Sequence, residues 1–233
     1  MTRVVVAWLV HLYTGLGLVC AAGIAVLIVD GSDASFRAAF MVMAVATVID
    51  ATDGFLAREA AAKHVLPFFD GALLDNIIDF QTYTSLPLLL LWRAELLPGA
   101  LAWILLLPLL ASAYGFSRTD AKADGFFLGF PSYWNVVAFY LYFLHAPVWV
   151  SVTLILTCTV LTFVPTRYLY PTRGGPWART MLTGAAIWTV VVLTILTGMG
   201  DETLLAWASL VYPVAYLLLS WRVSLAKAPA NRL

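Results

Sequence analysis

Positions 4–29 contain no charged residue, and this single run limits the fold more than any other feature of the chain. A helix needs about 20 predominantly apolar residues to cross the hydrocarbon core of a bilayer. Seven further apolar runs follow the first, which occupies 7–29, at 34–50, 73–92, 97–117, 132–145, 146–164, 178–197 and 203–224. The first is too long, and too closely followed by others, to be a cleaved signal peptide. Composition agrees: 62% of the 233 residues are hydrophobic and 11% charged. Water-soluble domains carry roughly 25% charged residues, so this chain lacks the polar surface that water requires. The two cysteines, Cys20 and Cys158, lie inside apolar runs and form no disulfide framework. A formal net charge of zero gives no general attraction to nucleic acid. The expected fold class is an all-α polytopic membrane bundle of about eight transmembrane helices, with residues 1–233 forming a single membrane-embedded domain.

Charge placement sets the expected orientation. Eight spans with a cytoplasmic N-terminus leave Arg3, Arg58, Lys63, Arg118, Lys122, Arg167, Arg173, Arg179, Arg222, Lys227 and Arg232 inside, 11 of the 13 Lys and Arg. Only Arg37 and Arg93 fall outside. Fusing 132–164 into one helix would give about 50 Å of length, far beyond a 30 Å core. It would also leave five cations inside and eight outside. The positive-inside rule therefore favours both termini in the cytoplasm.

Six of the thirteen acidic residues crowd into positions 50–79: Asp50, Asp53, Glu59, Asp70, Asp75 and Asp79. A carboxylate at the membrane midplane costs at least ~2.5–3.5 kcal/mol, so such a group needs an offset. Asp50 and Asp53 are spaced i, i+3 and Asp75 and Asp79 i, i+4, which puts each pair on one helix face. Two antiparallel helices joined by a cytoplasmic loop bring the pairs together at the cytoplasmic boundary. Aspartates at a helix end can also reach water, but that accounts for one or two of them, not four. Oxygen-only ligands without His or Cys suit a hard divalent cation. Gly54 and Gly71 leave room for a phosphorylated ligand to approach the backbone, although glycine also serves helix packing. Ala57 leaves similar room. Arg58 supplies planar donors for a phosphate, or simply an anchoring charge.

The residues Asp50-Ala-Thr-Asp53-Gly54-Phe-Leu-Ala57-Arg58 and Gly71-Ala-Leu-Leu-Asp75-Asn-Ile-Ile-Asp79 resemble the signature of the CDP-alcohol phosphotransferases, D-x2-D-G-x2-A-R, a spacer, then G-x3-D-x3-D. All eight fixed residues match. The spacer, 59–70, has twelve residues where most of that family has eight. That length, with Val65-Leu66-Pro67 and Asp70-Gly71, is similar to the bacterial phosphatidylcholine synthase branch, as are the stretches 114–122 and 126–135. The likeness fades in the last seventy residues.

The resemblance implies transfer of a phosphatidyl group from CDP-diacylglycerol to an alcohol, choline in that branch, with release of CMP. It implies that Asp50, Asp53 and Asp75 bind a pair of divalent cations, Mn2+ or Mg2+, with Asp79 sharing the site or acting as general base. Gly54, Ala57, Arg58 and Gly71 would belong to the nucleotide and phosphate pocket. Choline has no N–H to donate, so its recognition calls for aromatic faces. Tyr83, Tyr114, Tyr133 and Trp134, with Asn135, are the candidates, although membrane-interface belts use aromatic residues too. Arg118 and Lys122, beside Asp120, are candidate phosphate contacts or ordinary solvated charges. His11 is expected to hydrogen-bond across helices. Serine, inositol or glycerol 3-phosphate as acceptor remains open, as does a multi-pass transporter with intramembrane acids. The expected setting is the bacterial inner membrane, with the site facing the cytoplasm. A homodimer is compatible with the sequence, which is silent on oligomeric state.

Overall fold

The computed structural model describes residues 2–123, 125–174 and 177–226, and most of them are helical. They form two compact units, one from the chain up to Leu96 together with Trp134–Phe139, the other from Leu97–Tyr133 and the chain from Tyr140 onward. Five helices are long and apolar enough to cross a membrane: Thr2–Asp30, Asp33–Glu59, Gly99–Ser117, Ala178–Leu196 and Glu202–Leu225. Between 22% and 28% of each apolar window is buried within the protein. The remaining apolar side chains, such as Val19, Val26, Leu110 and Val190, face outward, as lipid-facing residues do.

In the first unit, α1 (Thr2–Asp30) and α2 (Asp33–Glu59) form a long antiparallel hairpin. At 1.5 Å per residue each is roughly 40 Å long. The turn between them is tied by Asp30, whose Oδ2 accepts from Ser32 Oγ at 2.8 Å and Ser35 Oγ at 2.6 Å. Ser32 caps α2 by accepting from the Ser35 N–H. Gly31 adopts a left-handed conformation, and the Arg93 guanidinium occupies the space a side chain there would fill.

The second hairpin partner is less regular. α2 runs nine residues beyond the expected end of its span at 50, so Asp53, Gly54, Ala57 and Arg58 are all helical. The twelve-residue spacer folds as the end of α2, a single turn α3 (Ala62–Val65) and a tight bend. Ala62 and Leu66 of the spacer are buried against Ala7 of α1. α4 (Gly71–Asp79) follows, capped by Asp70, whose Oδ1 accepts from the N–H groups of Ala72 and Leu73, both at 3.0 Å. This cap explains one of the six crowded acids without any ligand.

The expected third span is a continuous helical run over 71–93, but it changes type. A π-helical segment, Phe80–Ser85, separates α4 from α5 (Leu86–Arg93). The Leu86 N–H reaches back five residues to Gln81 O. Pro87 is the physical reason: it has no N–H to offer Tyr83 O, and its ring would clash with that carbonyl in an α-helix.

In the second unit, a 3₁₀ turn (Gly99–Leu105) leads into α6 (Leu106–Ser117), which packs against α8 (Val148–Phe163). α7 (Trp134–Phe143) and α8 are separate helices of 10 and 16 residues, broken at left-handed His145 and Pro147. An all-α reading did not anticipate the small antiparallel sheet of β1 (Lys122–Ala123), β2 (Phe126–Leu128) and β3 (Arg167–Leu169), with Phe127 opposite Tyr168. Its edge is closed by α11 (Val211–Ala226): the N–H groups of Arg167 and Leu169 donate to Ser224 Oγ and Ser220 Oγ, both at 3.1 Å. Tyr216 Oη donates to Leu169 O at 2.9 Å. α9 (Ala178–Leu196) and α10 (Glu202–Ser209) complete this unit.

The helix-to-strand joint yields a direct expectation. Ser220 is fully buried, so Ser220→Ala strands the Leu169 N–H, at a cost of about 1–3 kcal/mol. A lower melting temperature in detergent is expected, and an unchanged one would show that the bond contributes nothing net.

A candidate metal and phosphate site

The carboxylates converge as their spacing predicts. Side-chain oxygens of Asp50, Asp75 and Asp79 lie within 4.8 Å of one another. Asp79 is 8% exposed and Asp53 6%. All four aspartates line one small open cleft, whose other walls are Thr14 and Gly17 of α1, Ala46 and Ile49 of α2, and Ile78 and Thr82.

Helix geometry explains which three cluster. Asp75 and Asp79 share a face of α4 one turn apart. Asp50 meets them from α2, and Asp53 stands one turn further along that helix, a rise of about 4.5 Å. The cleft exists because α1 comes close to α4. A Cβ on Gly17 would lie 2.5 Å from Ile78 Cγ2, so any larger residue would push the helices apart.

The donor set fits a hard divalent cation. Oxygen ligands on opposite sides of Mg2+ or Ca2+ stand about 4–5 Å apart, which matches the span of the trio. Three carboxylates held this close repel one another strongly unless a cation or protons intervene. Tyr83, on the π-helical segment and 8% exposed, donates its hydroxyl to Asp50 Oδ2 at 2.7 Å. The sequence placed Tyr83 among the acceptor-binding aromatics, whereas the structure puts it against a carboxylate of the cluster.

The remaining motif residues occupy the same unit. Arg58 is exposed on α2, and its Nη1 lies 3.4 Å from where a Gly54 side chain would begin. That is ordinary van der Waals contact, and it places the guanidinium one turn back along α2, over Gly54. Ala57 packs on the cluster of Ala7, Ala62 and Leu66. Gly71 makes room for the His11 ring, since a Cβ there would stand 2.6 Å from His11 Cε1. His11 does not form the interhelical hydrogen bond expected of it through Nε2, which is buried with no partner among the described residues. Its ring packs instead on Phe69 at 4.5 Å and Trp8 at 6.1 Å. The physical reason is the neighbourhood: aromatic rings and a glycine backbone surround it, not another helix's polar side chain.

Trp134 and Asn135, from the start of α7, also belong to the first unit. Trp134 is wholly buried. The Asn135 amide reaches Thr47 Oγ1, one turn before Asp50, at 3.5 Å. The other expected residues belong to the second unit. Tyr133 packs on Phe127 and Tyr216. Tyr114 is 47% exposed and stands against Phe163. Arg118 forks onto Asp120 through two bonds of 2.8 and 2.7 Å, which holds the Asp120 carboxyl below the usual carboxylate range. Lys122 contributes backbone to β1, and its side chain lies outside the described residues. Sequence reasoning missed Thr14, Gly17 and Thr82 in the cleft. Gly17, one of three glycines in the first span with Gly15 and Gly23, was a visible signal for close helix approach.

The Gly71 contact separates packing from ligand binding. Gly71→Ala is expected to cost about 1–3 kcal/mol of stability through overpacking, and the double variant Gly71→Ala/His11→Ala to recover most of it. Melting temperatures check this, and a double variant no better than the single would break the packing account.

Known proteins match this sequence. The family model for CDP-alcohol phosphatidyltransferase covers residues 8–126, which include the whole hairpin and its four aspartates. The chain is 40% identical over 173 residues to a phosphatidylcholine synthase of Legionella pneumophila, an alignment covering 72% of this chain and 66% of that one. It is 38% identical over 192 residues to one from Bradyrhizobium diazoefficiens, covering 80% and 70%. Against one from Borreliella burgdorferi it is 34% identical over 174 residues, 73% of each chain. The match therefore spans about two thirds to three quarters of these relatives. With the family model matched over half of the chain and all four motif aspartates lining one cleft, the chain belongs to the CDP-alcohol phosphatidyltransferase family.

Proposed function

We propose that this protein is a phosphatidylcholine synthase, moving the phosphatidyl group of CDP-diacylglycerol onto choline and releasing CMP. The observation that carries this reading is the convergence of Asp50, Asp75 and Asp79 in a chain 40% identical to a phosphatidylcholine synthase. Family membership sets aside the transporter alternative. The acceptor rests on the likeness to the relatives, since serine, inositol or glycerol 3-phosphate would suit the same cleft chemistry.

In this reading Asp50, Asp53, Asp75 and Asp79 hold two divalent cations, Mn2+ or Mg2+. Bound there, the cations neutralise the pyrophosphate and stabilise the departing CMP. Arg58 pairs with a phosphate from the exposed side of α2, where a fork of N–H donors matches phosphate oxygens. Gly54 keeps that path open. Asp79 accepts the proton of the choline hydroxyl as its oxygen bonds to the lipid-side phosphorus. The bond from that phosphorus to the bridging oxygen breaks, and CMP leaves with the oxygen. Both substrates meet in one site, so a single in-line displacement suffices and no covalent enzyme intermediate is required. Tyr114, Tyr133 and Trp134 are the aromatic candidates for choline, and Arg118 and Lys122 for a further phosphate contact.

We place the protein in the bacterial inner membrane as one domain with eight spans, both termini and the cleft on the cytoplasmic side. The ion pairs support this orientation. Arg37, assigned outside, bonds to Asp33 at 3.0 Å, and Arg93, also outside, lies against Gly31 next to Asp30. The two cations that break the positive-inside pattern thus have acids beside them, which lowers the cost of placing them there.

The decisive experiment offers purified protein CDP-diacylglycerol, Mn2+ and, separately, choline, serine, inositol and glycerol 3-phosphate. Choline-dependent release of CMP with formation of phosphatidylcholine is expected, abolished by EDTA and restored by added Mn2+. Turnover with another alcohol alone would overturn the acceptor and keep the family chemistry. Asp79→Asn is expected to lower turnover at least about a hundredfold, as loss of a general base does, while the protein stays folded. Full activity in that variant would remove Asp79 from the proton transfer.

A further inference from the structure

We infer that Tyr83 is a positioning residue for the metal site: it clamps the Asp50 carboxylate so that α2 presents it to Asp75 and Asp79. This rests on the proposed metal reading and adds a residue outside the eight of the motif. The Tyr83 hydroxyl donates to Asp50 Oδ2 at 2.7 Å, across 33 residues of sequence. That length is ordinary for a hydroxyl donating to an oxygen, and a bond to an ionised carboxylate is stronger than one between neutral groups. Tyr83 is 8% exposed and flanked by buried Thr82 and Thr84, so its ring is held by packing rather than by water. A bond from a buried phenol to a carboxylate fixes the rotation of the carboxylate about its last bond, which is otherwise loose.

The helix type is part of the device. Asp75, Asp79 and Tyr83 are spaced by four, and in an unbroken α-helix they would form a single row on one face. The π-helical turn Phe80–Ser85 begins directly after Asp79 and widens the helix where Tyr83 sits. Wider turns of this kind recur at functional sites because they redirect side chains. Here the turn follows from Pro87, so a proline four residues beyond Tyr83 shapes the environment of a carboxylate on another helix. The Thr47 hydroxyl, one turn before Asp50 on α2, stands beside the Tyr83 hydroxyl and meets Asn135 from α7. Three helical segments of the first unit therefore bear on one carboxylate orientation.

Groups that orient metal ligands typically change metal affinity by about 10–100-fold when removed. The test is Mn2+ binding by the full-length protein in detergent, followed by electron paramagnetic resonance of the free ion, for wild type, Tyr83→Phe, Asp50→Asn and the double variant. Tyr83→Phe is expected to weaken Mn2+ binding about tenfold. The double variant is expected to bind no more weakly than Asp50→Asn alone, because Tyr83 acts through Asp50. A purely structural tyrosine would instead lower the melting temperature and leave Mn2+ affinity in place. The Mn2+-induced rise in melting temperature supplies a second reading that is independent of each variant's starting stability. Binding by Tyr83→Phe within twofold of wild type, or losses that simply add in the double variant, would overturn the inference. A wild-type protein that binds no Mn2+ would overturn the metal reading itself, an outcome separate from both.

Discussion

Carboxylates in an apolar helical hairpin are expensive, and the first unit is organised around that expense. An ionised group in hydrocarbon costs several kcal/mol unless it meets water, a partner or a cation. Asp50, Asp75 and Asp79 are also drawn close to one another, which adds repulsion to desolvation. Such an arrangement is stable only with a positive charge or protons among the oxygens, so the same constraint that threatens the fold specifies the chemistry. An oxygen-only acidic pocket of this kind suits a hard divalent cation.

Close helix approach makes the pocket. Gly17 lets α1 touch Ile78, and Gly71 lets α4 sit against His11, so the acidic faces of α2 and α4 meet behind α1. In lipid the solvent is as apolar as the side chains, and packing of small residues replaces the hydrophobic effect as the force between helices. The spacer, four residues longer than in most of the resembling family, adds its own anchor through Ala62 and Leu66. Its last residue, Asp70, is spent on capping α4 rather than on the site. Pro87 then bends the helix type from α to π and turns Tyr83 onto Asp50.

The second unit meets a different demand. Backbone N–H groups of a short strand must be paired wherever water is excluded. Serines on α11 do this for β3, a solution in which helix side chains stand in for a neighbouring strand. Nothing in the local pattern of 122–128 or 167–169 distinguishes these short strands from loop: each has only two or three residues, and β2 and β3 lie about forty residues apart. The same holds for Arg118. A charge in a polar loop reads equally as a phosphate contact or as a salt bridge, and here it pairs with Asp120 two residues away.

Residue identity and spacing alone determined the membrane setting, the helical runs and the four aspartates, because hydropathy and helical period are local properties that no packing can reverse. Tertiary structure decided the rest. It selected Asp79 rather than Asp53 as the third member of the tight oxygen cluster, set Gly71 against the His11 ring, and set the Tyr83 hydroxyl on Asp50. Each of those outcomes depends on which helix faces which, and on how closely. A one-dimensional pattern names the face of a helix but leaves the neighbour across from it to be settled by the close packing of small residues and by the turn that Pro87 imposes.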